Sequence, residues 1–128
     1  MKKQLEAVAL FHNTYGLGVS NELKANLGEQ KNALRFELMK EENEEYLEAV
    51  QKNDIVEIAD ALGDMLYILC GTILEHGLQD KIEAVFDEIQ RSNMSKLGED
   101  GKPIYREDGK VRTRPSRMKY RFLQILPS

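Results

Sequence analysis

Residues 54–77 read DIVEIADALGDMLYILCGTILEHG, a stretch without proline that decides the fold of the chain. Asp54, followed three residues later by Glu57, predicts a capping box at the start of a helix, and Gly77 predicts the end of that helix. Apolar residues occupy nearly the whole circumference of the helix, which is typical of a buried helix. The segment is therefore predicted to lie in an α-helical core.

The two sides of this predicted helix differ in chemistry. Its apolar side consists of Ile55, Ile58, Ala59, Leu62, Leu66, Leu69 and Ile73. Glu57, Asp60 and Asp64 share the opposite side. That side continues into Tyr67 and Ile68, so it does not remain a solvent-facing side. The three acidic side chains therefore have to face a group that compensates their charge.

The remaining sequence predicts an antiparallel all-α bundle of about four helices. The first helix is expected from about Lys3 to Tyr15, the second from Glu29 to about Gln51, and the fourth from a cap at Asp80 to about Leu97. Short connections favour antiparallel neighbours. Residues 98–128 contain two Asp-Gly pairs and predict a short hairpin or loop extension. We expect one domain over residues 1–128, with its helical core at about 3–97.

Length and composition are those of a soluble globular protein. The chain has 128 residues, of which 41% are hydrophobic and 31% charged, enough for one domain with its own core. The longest apolar run, Met65–Cys70, is too short to span a membrane, and the first residues lack the apolar core of a signal peptide. Cys70 is the only cysteine, which excludes an intrachain disulfide and favours a reducing cytoplasm.

Charge is distributed unevenly along the chain. The net charge is −4, but residues 1–101 hold 10 Lys and Arg against 20 Asp and Glu, whereas residues 102–128 hold 8 against 2. An acidic body can bind cations, and a basic tail can bind phosphates. The alternative is a solvated acidic surface with a loosely ordered basic end.

The second predicted helix carries an acidic run, Glu41-Glu42-Asn43-Glu44-Glu45. On a helical wheel, one sector of roughly 80° holds Leu34, Leu38, Glu41, Glu45 and Ala49, with Glu42 at its edge. Two or three carboxylates therefore lie in the stripe that is expected to face the core. If the helix is rotated, the same run becomes an ordinary solvated face.

Basic residues near these acidic ones in sequence are too few to neutralise them. Three basic residues, Arg35, Lys40 and Lys52, compare with six acidic ones, which are Glu41, Glu42, Glu45, Glu57, Asp60 and Asp64. Because several buried carboxylates repel one another, a bound cation is the remaining way to compensate them. Oxygen ligands without cysteine or histidine suit Mg²⁺ or Mn²⁺. For Glu57, the alternative role is that of capping partner of Asp54.

Four motifs together resemble a known family. The first two motifs are Glu41-Glu42-x-x-Glu45 with Ala49, and Asp64-Met65-Leu66-Tyr67. The other two are Phe11-His12, which precedes them, and Asn93-Met94-Ser95-Lys96, which follows them. The combination resembles the all-α NTP pyrophosphatase superfamily, which includes MazG, the dimeric dUTPases and phosphoribosyl-ATP pyrophosphohydrolase. The small MazG-like proteins are the most similar branch, and the likeness covers nearly the whole chain.

The resemblance implies a function as well as a fold. It implies magnesium-dependent hydrolysis of a nucleoside triphosphate to the monophosphate and pyrophosphate, in the house-cleaning of nucleotide pools, with Mn²⁺ as a substitute metal. It implies that Glu42, Glu45 and Asp64 are metal ligands, and that Glu41 is a ligand or orients the attacking water. Together with the apolar area that a small helical unit leaves exposed, it also implies a homodimer or higher homo-oligomer.

The sequence departs from the family's second motif, which is Glu-x-x-Asp directly ahead of an apolar stretch. If Asp64 is the aspartate of this motif, Ala61 takes the place of the glutamate. If the motif is Glu57-Ile58-Ala59-Asp60, it lies one turn earlier than in the family. Asp60 is expected to fill the gap, because it lies one turn from Asp64 on the same face.

Five polar residues in the C-terminal part of the chain are candidate substrate contacts. Asn93 and Lys96 lie one turn apart on the fourth predicted helix and are expected to hold phosphate oxygens. The alternative for Lys96 is an ordinary lysine favoured by the helix dipole. Lys102 and Lys110, with Arg112, are expected to close over the triphosphate as a lid, the alternative being a surface hairpin.

Two residues of the first predicted helix, His12 and Asn13, border the base pocket if the resemblance holds. A lone histidine in such a position is more often a packed or capping residue than a ligand. The sequence leaves both readings open.

Two other functions compete with the enzyme. A di-iron carboxylate protein requires Glu-x-x-His pairs, and neither His12 nor His76 has a glutamate three residues earlier. A non-enzymatic helical interaction module would bind nucleic acid through the basic residues of segment 110–121. That module leaves the inward-facing acids unexplained, so we expect a nucleoside triphosphate as partner and neither nucleic acid nor a membrane.

Overall fold

The computed structural model describes residues 1–95, 107–109 and 121–126. The four long helices are α1 (Lys2–Thr14), α2 (Glu29–Gln51), α3 (Ile55–Glu75) and α4 (Ile82–Met94). A short fifth helix, α5, spans residues 121–125, and the described residues contain no strand. The predicted all-α class is therefore confirmed. Apart from residues 107–109, the predicted C-terminal hairpin lies outside the described residues.

The chain divides into two compact units, Met1–Gln79 and Asp80–Ser128. The first unit contains α1, α2 and α3, and α3 packs against both of the other helices. The second unit contains α4 and α5. Within it, the buried carboxylate of Glu88 receives two hydrogen bonds from Arg91, at 2.9 and 2.7 Å. Arg91 thereby holds the pKa of Glu88 below its usual value.

A tight turn joins α2 to α3. Asn53 adopts the left-handed conformation at φ 54°. The Asp54 side chain then accepts hydrogen bonds from the backbone N–H groups of Val56 (3.0 Å) and Glu57 (3.1 Å). The predicted cap by Asp54 is therefore confirmed. The Glu57 side chain instead lies 3.6 Å from the Nζ of Lys52, and the Asp54 N–H donates to a backbone carbonyl, so the reciprocal half of the capping box is wrong.

The ends of α4 differ from the prediction. Lys81, and not Asp80, is the N-terminal cap, and its side chain makes no capping hydrogen bond. The helix ends at Met94, with Ser95 as its C-terminal cap, three residues before the predicted end at Leu97. A capping pattern in sequence is local, and here the backbone enters the helix one residue later than the pattern predicts.

Small and medium-sized side chains form the core of the first unit. The buried apolar residues are Leu5, Val8, Ala49, Ala61, Cys70, Ile73 and Leu74. Most of the apolar side that was predicted to be buried on α3 is instead exposed: the exposed fraction is 73% for Ile55, 49% for Leu62, and 40–43% for Leu66 and Leu69. Because α1 and α2 cover the other sides of α3, this side is left open.

The segment between α1 and α2 is fixed against the C-terminal end of α3. The Ser20 N–H donates to the Leu74 carbonyl, and the Lys24 N–H donates to the His76 carbonyl, both at 2.9 Å. The Gln79 side-chain amide donates to the Ser20 carbonyl at 2.8 Å. Gly77 has a φ of 72°, and a Cβ there would overlap the carbonyl of residue 22. Only glycine therefore permits this close approach.

None of the helices in the described ranges combines the length and the apolar character needed to cross a membrane.

Candidate active site

α2 and α3 face each other through polar side chains. Three pairs of side chains meet across the interface: Lys31 with Glu75, Arg35 with Thr72, and Glu42 with Asp64. Residue numbers rise along α2 as they fall along α3, as expected of antiparallel helices. Glu42 lies eleven residues after Lys31, and Glu75 lies eleven residues after Asp64. A separation of eleven residues differs from three complete helical turns by only about 20°. Lys31 and Glu42 therefore lie on the same side of α2, and Asp64 and Glu75 lie on the same side of α3.

Three carboxylates meet at one end of this interface. Glu42, Glu45 and Asp64 each offer an oxygen atom, and these atoms all lie within 4.8 Å of one another. Glu42 and Asp64 are half-buried, whereas Glu45 is exposed. Among the described residues this is the one group of three acidic, histidine or cysteine side chains so arranged. Carboxylate oxygens are typical ligands of Mg²⁺ and Mn²⁺.

Burial and the neighbouring carboxylates change the pKa of Glu42. Burial is the largest cause that raises the pKa of Glu42 from 4.5 to about 7, followed by a hydrogen bond with Glu45 and by the charges of Glu45, Asp64 and Asp60. The Oε2 atom of Glu42 is buried and has no hydrogen-bond partner among the described residues. A buried acceptor without a partner is unfavourable. A divalent cation would supply the missing partner and offset the repulsion, so the residues fit the expected metal.

The other predicted acidic ligands lie outside this group. Asp60 is near enough for its charge to raise the pKa of Glu42. Glu57 is exposed and pairs with Lys52. Glu41 is exposed on α2, and the buried Ala61 offers no ligand in the place of the motif's glutamate. The structure thus brings together Glu42, Glu45 and Asp64, and it leaves Glu41 and Glu57 apart from them.

The stripe of α2 that was predicted to face the core is rotated. Leu34, which the helical wheel placed in that stripe, is 53% exposed. Glu41, two turns later on the same side of the helix, is also exposed. Arg35 and Glu42, each one position later, face α3 instead. Ala49 of the predicted stripe is nevertheless buried, and Glu45 joins the carboxylate group, so the helix is rotated by less than the 100° that one residue represents.

The predicted substrate contacts are described only in part. Asn93 is exposed in the last turn of α4, in the second unit. Lys96, Lys102, Lys110 and Arg112 lie outside the described residues. Asn13 is exposed on α1.

His12 is buried and links α1 to the following segment. Its Nδ1 lies 2.9 Å from the Gly18 carbonyl. Because a carbonyl oxygen can only accept, Nδ1 carries the proton. The ring also fits against the backbone of Gly71, where a Cβ would come within 2.6 Å of Nε2.

Sequence reasoning missed a buried ion cluster at the other end of the α2–α3 interface. Glu75 lies 3.0 Å from the Nζ of Lys31 and 3.1 Å from the Nε of Arg35, and its side chain is only 3% exposed. Arg35 donates to the Thr72 hydroxyl at 3.0 Å and to the Ile68 carbonyl at 2.9 Å. The sequence feature that could have indicated this cluster is Glu75, a single acidic residue at the end of an apolar stretch. In an antiparallel pair of helices it comes opposite Lys31 and Arg35.

Comparison with known proteins matches the region that holds these side chains. Residues 20–93 match the family described as PRA-PH, phosphoribosyl-ATP pyrophosphohydrolase, over more than half of the chain. The chain belongs to this family. The family takes its description from a pyrophosphohydrolase that acts on a nucleotide. The match includes all of α2 and α3 and hence the three converging carboxylates.

A viral protein is also similar to this member of the phosphoribosyl-ATP pyrophosphohydrolase family. An uncharacterized protein of Acanthamoeba polyphaga mimivirus is 30% identical over 95 residues. The aligned region covers 72% of the present chain and 38% of the viral protein. The chain therefore spans less than half the length of this relative.

Proposed function

We propose that the chain is a magnesium-dependent nucleoside triphosphate pyrophosphohydrolase, which converts an NTP or dNTP and water into the monophosphate and pyrophosphate. The observation that carries the proposal is the convergence of Glu42, Glu45 and Asp64 within 4.8 Å. The family supports hydrolysis of a nucleotide pyrophosphate. The acidic cluster supports a divalent cation, which nucleoside triphosphates carry on their phosphates.

In this proposal, Glu42, Glu45 and Asp64 hold Mg²⁺, and Mn²⁺ substitutes for it. The bound ion would neutralise phosphate charge and lower the pKa of a coordinated water. The remaining work of the protein is to position the substrate. Asp60 adds negative charge beside the ligands. Glu41 is exposed outside the group, so its proposed role is to orient the attacking water and not to bind the ion.

Polar residues in the last turn of α4 and after it complete the proposal. Asn93 and Lys96 are assigned to phosphate oxygens, and Lys102 and Lys110 to a lid over the triphosphate. Lys→Met substitution at each of the three lysines is expected to raise the KM for the triphosphate. Unchanged KM values would remove these lysines from the substrate site.

Homodimerisation is part of the proposal and has support in the exposed side of α3. Ile55, Ala59, Leu62, Leu66, Leu69 and Ile73 are spaced alternately by four and three residues. Such spacing forms a seam that packs against a second helix of the same kind. Most of this side is exposed in the single chain. A second copy of the chain would bury this side. A reducing cytoplasm is the proposed location, because Cys70 is the only cysteine and no intrachain disulfide can form.

A substrate panel tests the proposal. The full chain is incubated with each common NTP and dNTP in the presence of Mg²⁺, of Mn²⁺ or of EDTA, and pyrophosphate and orthophosphate are measured separately. We expect pyrophosphate and the monophosphate with either metal, and no turnover in EDTA. Release of orthophosphate alone, or no turnover of any triphosphate, would contradict the proposal. Salt-sensitive DNA binding without turnover would favour the nucleic-acid module instead.

A further inference from the structure

Arg35 joins α2 to α3 one helical turn away from the carboxylates. Its Nη2 donates to the Ile68 carbonyl at 2.9 Å, and its Nε donates to the Thr72 hydroxyl at 3.0 Å. Ile68 follows Asp64 by four residues on α3, which is about 6 Å along the helix axis. Arg35 therefore holds the turn of α3 that directly follows one of the three carboxylates.

The guanidinium group of Arg35 is held on several sides. The side chain is 11% exposed, and its Nε also lies 3.1 Å from the Oε2 of Glu75. Gly71 leaves room for the group, because a Cβ there would lie 2.8 Å from the Nη2 of Arg35. The donors of an arginine form a rigid planar fork. Arg35 therefore cannot slide along α3, or turn away from it, without losing these hydrogen bonds.

Lys31 adds a second attachment from the preceding turn of α2. Its Nζ lies 3.0 Å from the Oε1 of Glu75 and donates to the Leu17 carbonyl at 3.2 Å. The Glu75 side chain is only 3% exposed and thus pairs with two basic residues of α2. Together, Lys31, Arg35, Thr72 and Glu75 form a polar clamp between the two helices.

Apolar packing gives α2 little other support. The structure describes every residue of α2, and among them Ala49 alone is buried. Its single methyl group makes few van der Waals contacts, so it constrains the helix less than a large core side chain would. The position of α2 along α3, and its rotation, therefore depend mainly on the polar clamp and on the turn that follows α2.

Glu42 lies between these two attachments. It follows Arg35 by seven residues, which is within about 20° of two complete turns, so both side chains lie on the same side of α2. In the other direction, the tight turn at Asn53 joins α2 to α3 eleven residues later. The turn fixes one end of the pair of helices, and the polar clamp fixes the other.

The carboxylates between the two attachments oppose them. Oxygen atoms of Glu42, Glu45 and Asp64 lie within 4.8 Å of one another, and like charges at this distance repel. A divalent ion needs the same short distances, because Mg²⁺ accepts oxygen ligands only in a nearly ideal octahedral arrangement. If α2 were free to move, the repulsion would separate the ligands before the ion binds.

We propose that Arg35 is a positioning residue of the metal site, which fixes α2 against α3 so that the three carboxylates stay within reach of one ion. The inference rests on the proposed role of these carboxylates as metal ligands. Among the described residues, Arg35 forms its ion pair with Glu75 and not with the carboxylates. It therefore acts through the position of the helices and not through its charge.

Binding of Mn²⁺ without substrate tests the proposal apart from hydrolysis. The full chain is titrated with Mn²⁺ at a temperature at which circular dichroism shows the protein to be folded, and free Mn²⁺ is measured by electron paramagnetic resonance. Arg35→Met and Arg35→Lys are each expected to raise the Kd about tenfold or more, as for other residues that orient metal ligands. Arg35→Lys keeps the charge but lacks the forked donors.

Each result of this titration has a separate meaning. Wild-type affinity in folded Arg35→Met would overturn the positioning role. Wild-type affinity in Arg35→Lys, with a loss in Arg35→Met, would show that charge and not position matters, and would overturn it as well. No binding of Mn²⁺ by the wild type would instead overturn the proposed metal site.

The control for the lost charge is Lys40→Met, on the same helix. Lys40 is 54% exposed, pairs with Glu44 on the surface, and lies only two residues from Glu42 in sequence. This variant is expected to keep the wild-type Kd for Mn²⁺. An increase in Kd as large as that of Arg35→Met would show that any positive charge on α2 suffices, and would overturn the proposal.

A double variant separates positioning from a purely stabilising role. Arg35→Met is expected to unfold at a lower urea concentration than the wild type. A Cβ at Gly63 meets nothing within 4 Å, so addition of Gly63→Ala is expected to restore part of the lost stability through helix propensity. The Kd for Mn²⁺ is expected to remain raised. Recovery of the wild-type Kd together with stability would overturn the proposal.

Thr72→Val keeps the test decisive if the Arg35 variants do not fold. Valine has a similar shape but lacks the hydroxyl that accepts the hydrogen bond from the Nε of Arg35. The pair of Arg35 with Glu75 remains, so the variant is expected to fold. Its Kd for Mn²⁺ is expected to rise by about threefold to tenfold, as for one lost hydrogen bond. Wild-type affinity in folded Thr72→Val would overturn the proposal.

Discussion

Glu42 on α2 and Asp64 on α3 bring carboxylate oxygens within 4.8 Å of each other across the interface of two antiparallel helices. Both side chains are half-buried, and the described residues place no basic side chain in ion-pair contact with either of them. Two such charges are tolerated only when a proton or a cation lies between them. The stability of the metal-free protein and its activity with metal are therefore expected to change in opposite directions when this charge is removed.

Neutral replacements of the three carboxylates test this opposition. Glu42→Gln, Glu45→Gln and Asp64→Asn are each expected to lower kcat/KM by about 100-fold or more. The reason is that each variant lacks one of the carboxylates proposed to hold the metal ion at the reacting phosphates. In EDTA, each variant is expected to gain about 1 kcal/mol of unfolding free energy, the repulsion between two charges about 4 Å apart in water. Steady-state kinetics and urea unfolding measure the two effects.

The control for these variants is Glu48→Gln, at an exposed position of the same helix. It is expected to leave both activity and stability unchanged. Wild-type turnover by all three cluster variants would rule out the carboxylates as the reaction site. A loss of metal-free stability in all three would show that the carboxylates stabilise the fold and do not strain it.

The pH dependence of stability gives a second test. The pKa of Glu42 is raised to about 7 in the folded chain, so the folded state binds its proton more tightly than the unfolded state does. This contribution to stability is complete below about pH 4.5 and is lost as pH rises through about 7. Between pH 5 and pH 8, the unfolding free energy in EDTA is therefore expected to fall more steeply for the wild type than for Glu42→Gln.

Urea unfolding at several pH values measures this difference. The other titrating groups are the same in both proteins, so their contributions cancel when the two slopes are compared. Addition of Mg²⁺ is expected to reverse the trend above pH 7, because metal binding requires the deprotonated carboxylate. Equal slopes for the wild type and Glu42→Gln would contradict the raised pKa.

Local sequence signals were sufficient for most helix boundaries. The expected bounds of α2 and the start of α3 agree with the structure, because Asp54 and the glycines act on neighbouring backbone groups. The apolar periodicity showed that each helix has a stripe, but it did not show which neighbour covers that stripe. For this reason the prediction included Leu34 and Glu41 in the inner side of α2 and placed Glu42 only at its edge, whereas Arg35 and Glu42 face α3. The inward position of Ala49 was predicted correctly.

Interactions between distant residues were the part that the sequence alone did not reveal. The pairing of Lys31 with Glu75 depends on the antiparallel register of α2 and α3, which follows from packing and not from either helix alone. The exposed side of α3 is a similar case. Its pattern is that of a buried seam, and most of its side chains are exposed in the part of the chain that the structure describes.

Gly71 provides a stability test of the packing between the helices. A Cβ at this position would lie 2.6 Å from the Nε2 of His12 and 2.8 Å from the Nη2 of Arg35. Both side chains are held by hydrogen bonds, so Gly71→Ala is expected to destabilise the protein by about 1–3 kcal/mol, as overpacking does. Urea unfolding of the metal-free protein measures the change.

Gly63 is the matched control on the same helix. A Cβ there meets nothing within 4 Å, so Gly63→Ala is expected to stabilise α3 by about 1 kcal/mol through helix propensity. If Gly71→Ala were as stable as Gly63→Ala, the close packing of His12 and Arg35 over α3 would be wrong.

The exposed seam of α3 yields the last prediction. Leu62 and Leu66 lie at its centre and are 49% and 40% exposed, so a second copy of the chain would bury them at its two-fold axis. Leu62→Glu and Leu66→Glu are each expected to convert a dimer into a monomer, because a buried charge without a partner opposes association. Light scattering after size exclusion measures the mass, and the wild-type melting temperature is expected to rise with protein concentration. Val56→Glu, at a 75% exposed position outside the seam, is the control and is expected to leave the dimer intact. A wild-type monomer at all concentrations, or a dimer that survives both leucine substitutions, would show that this side of α3 is not the interface between copies.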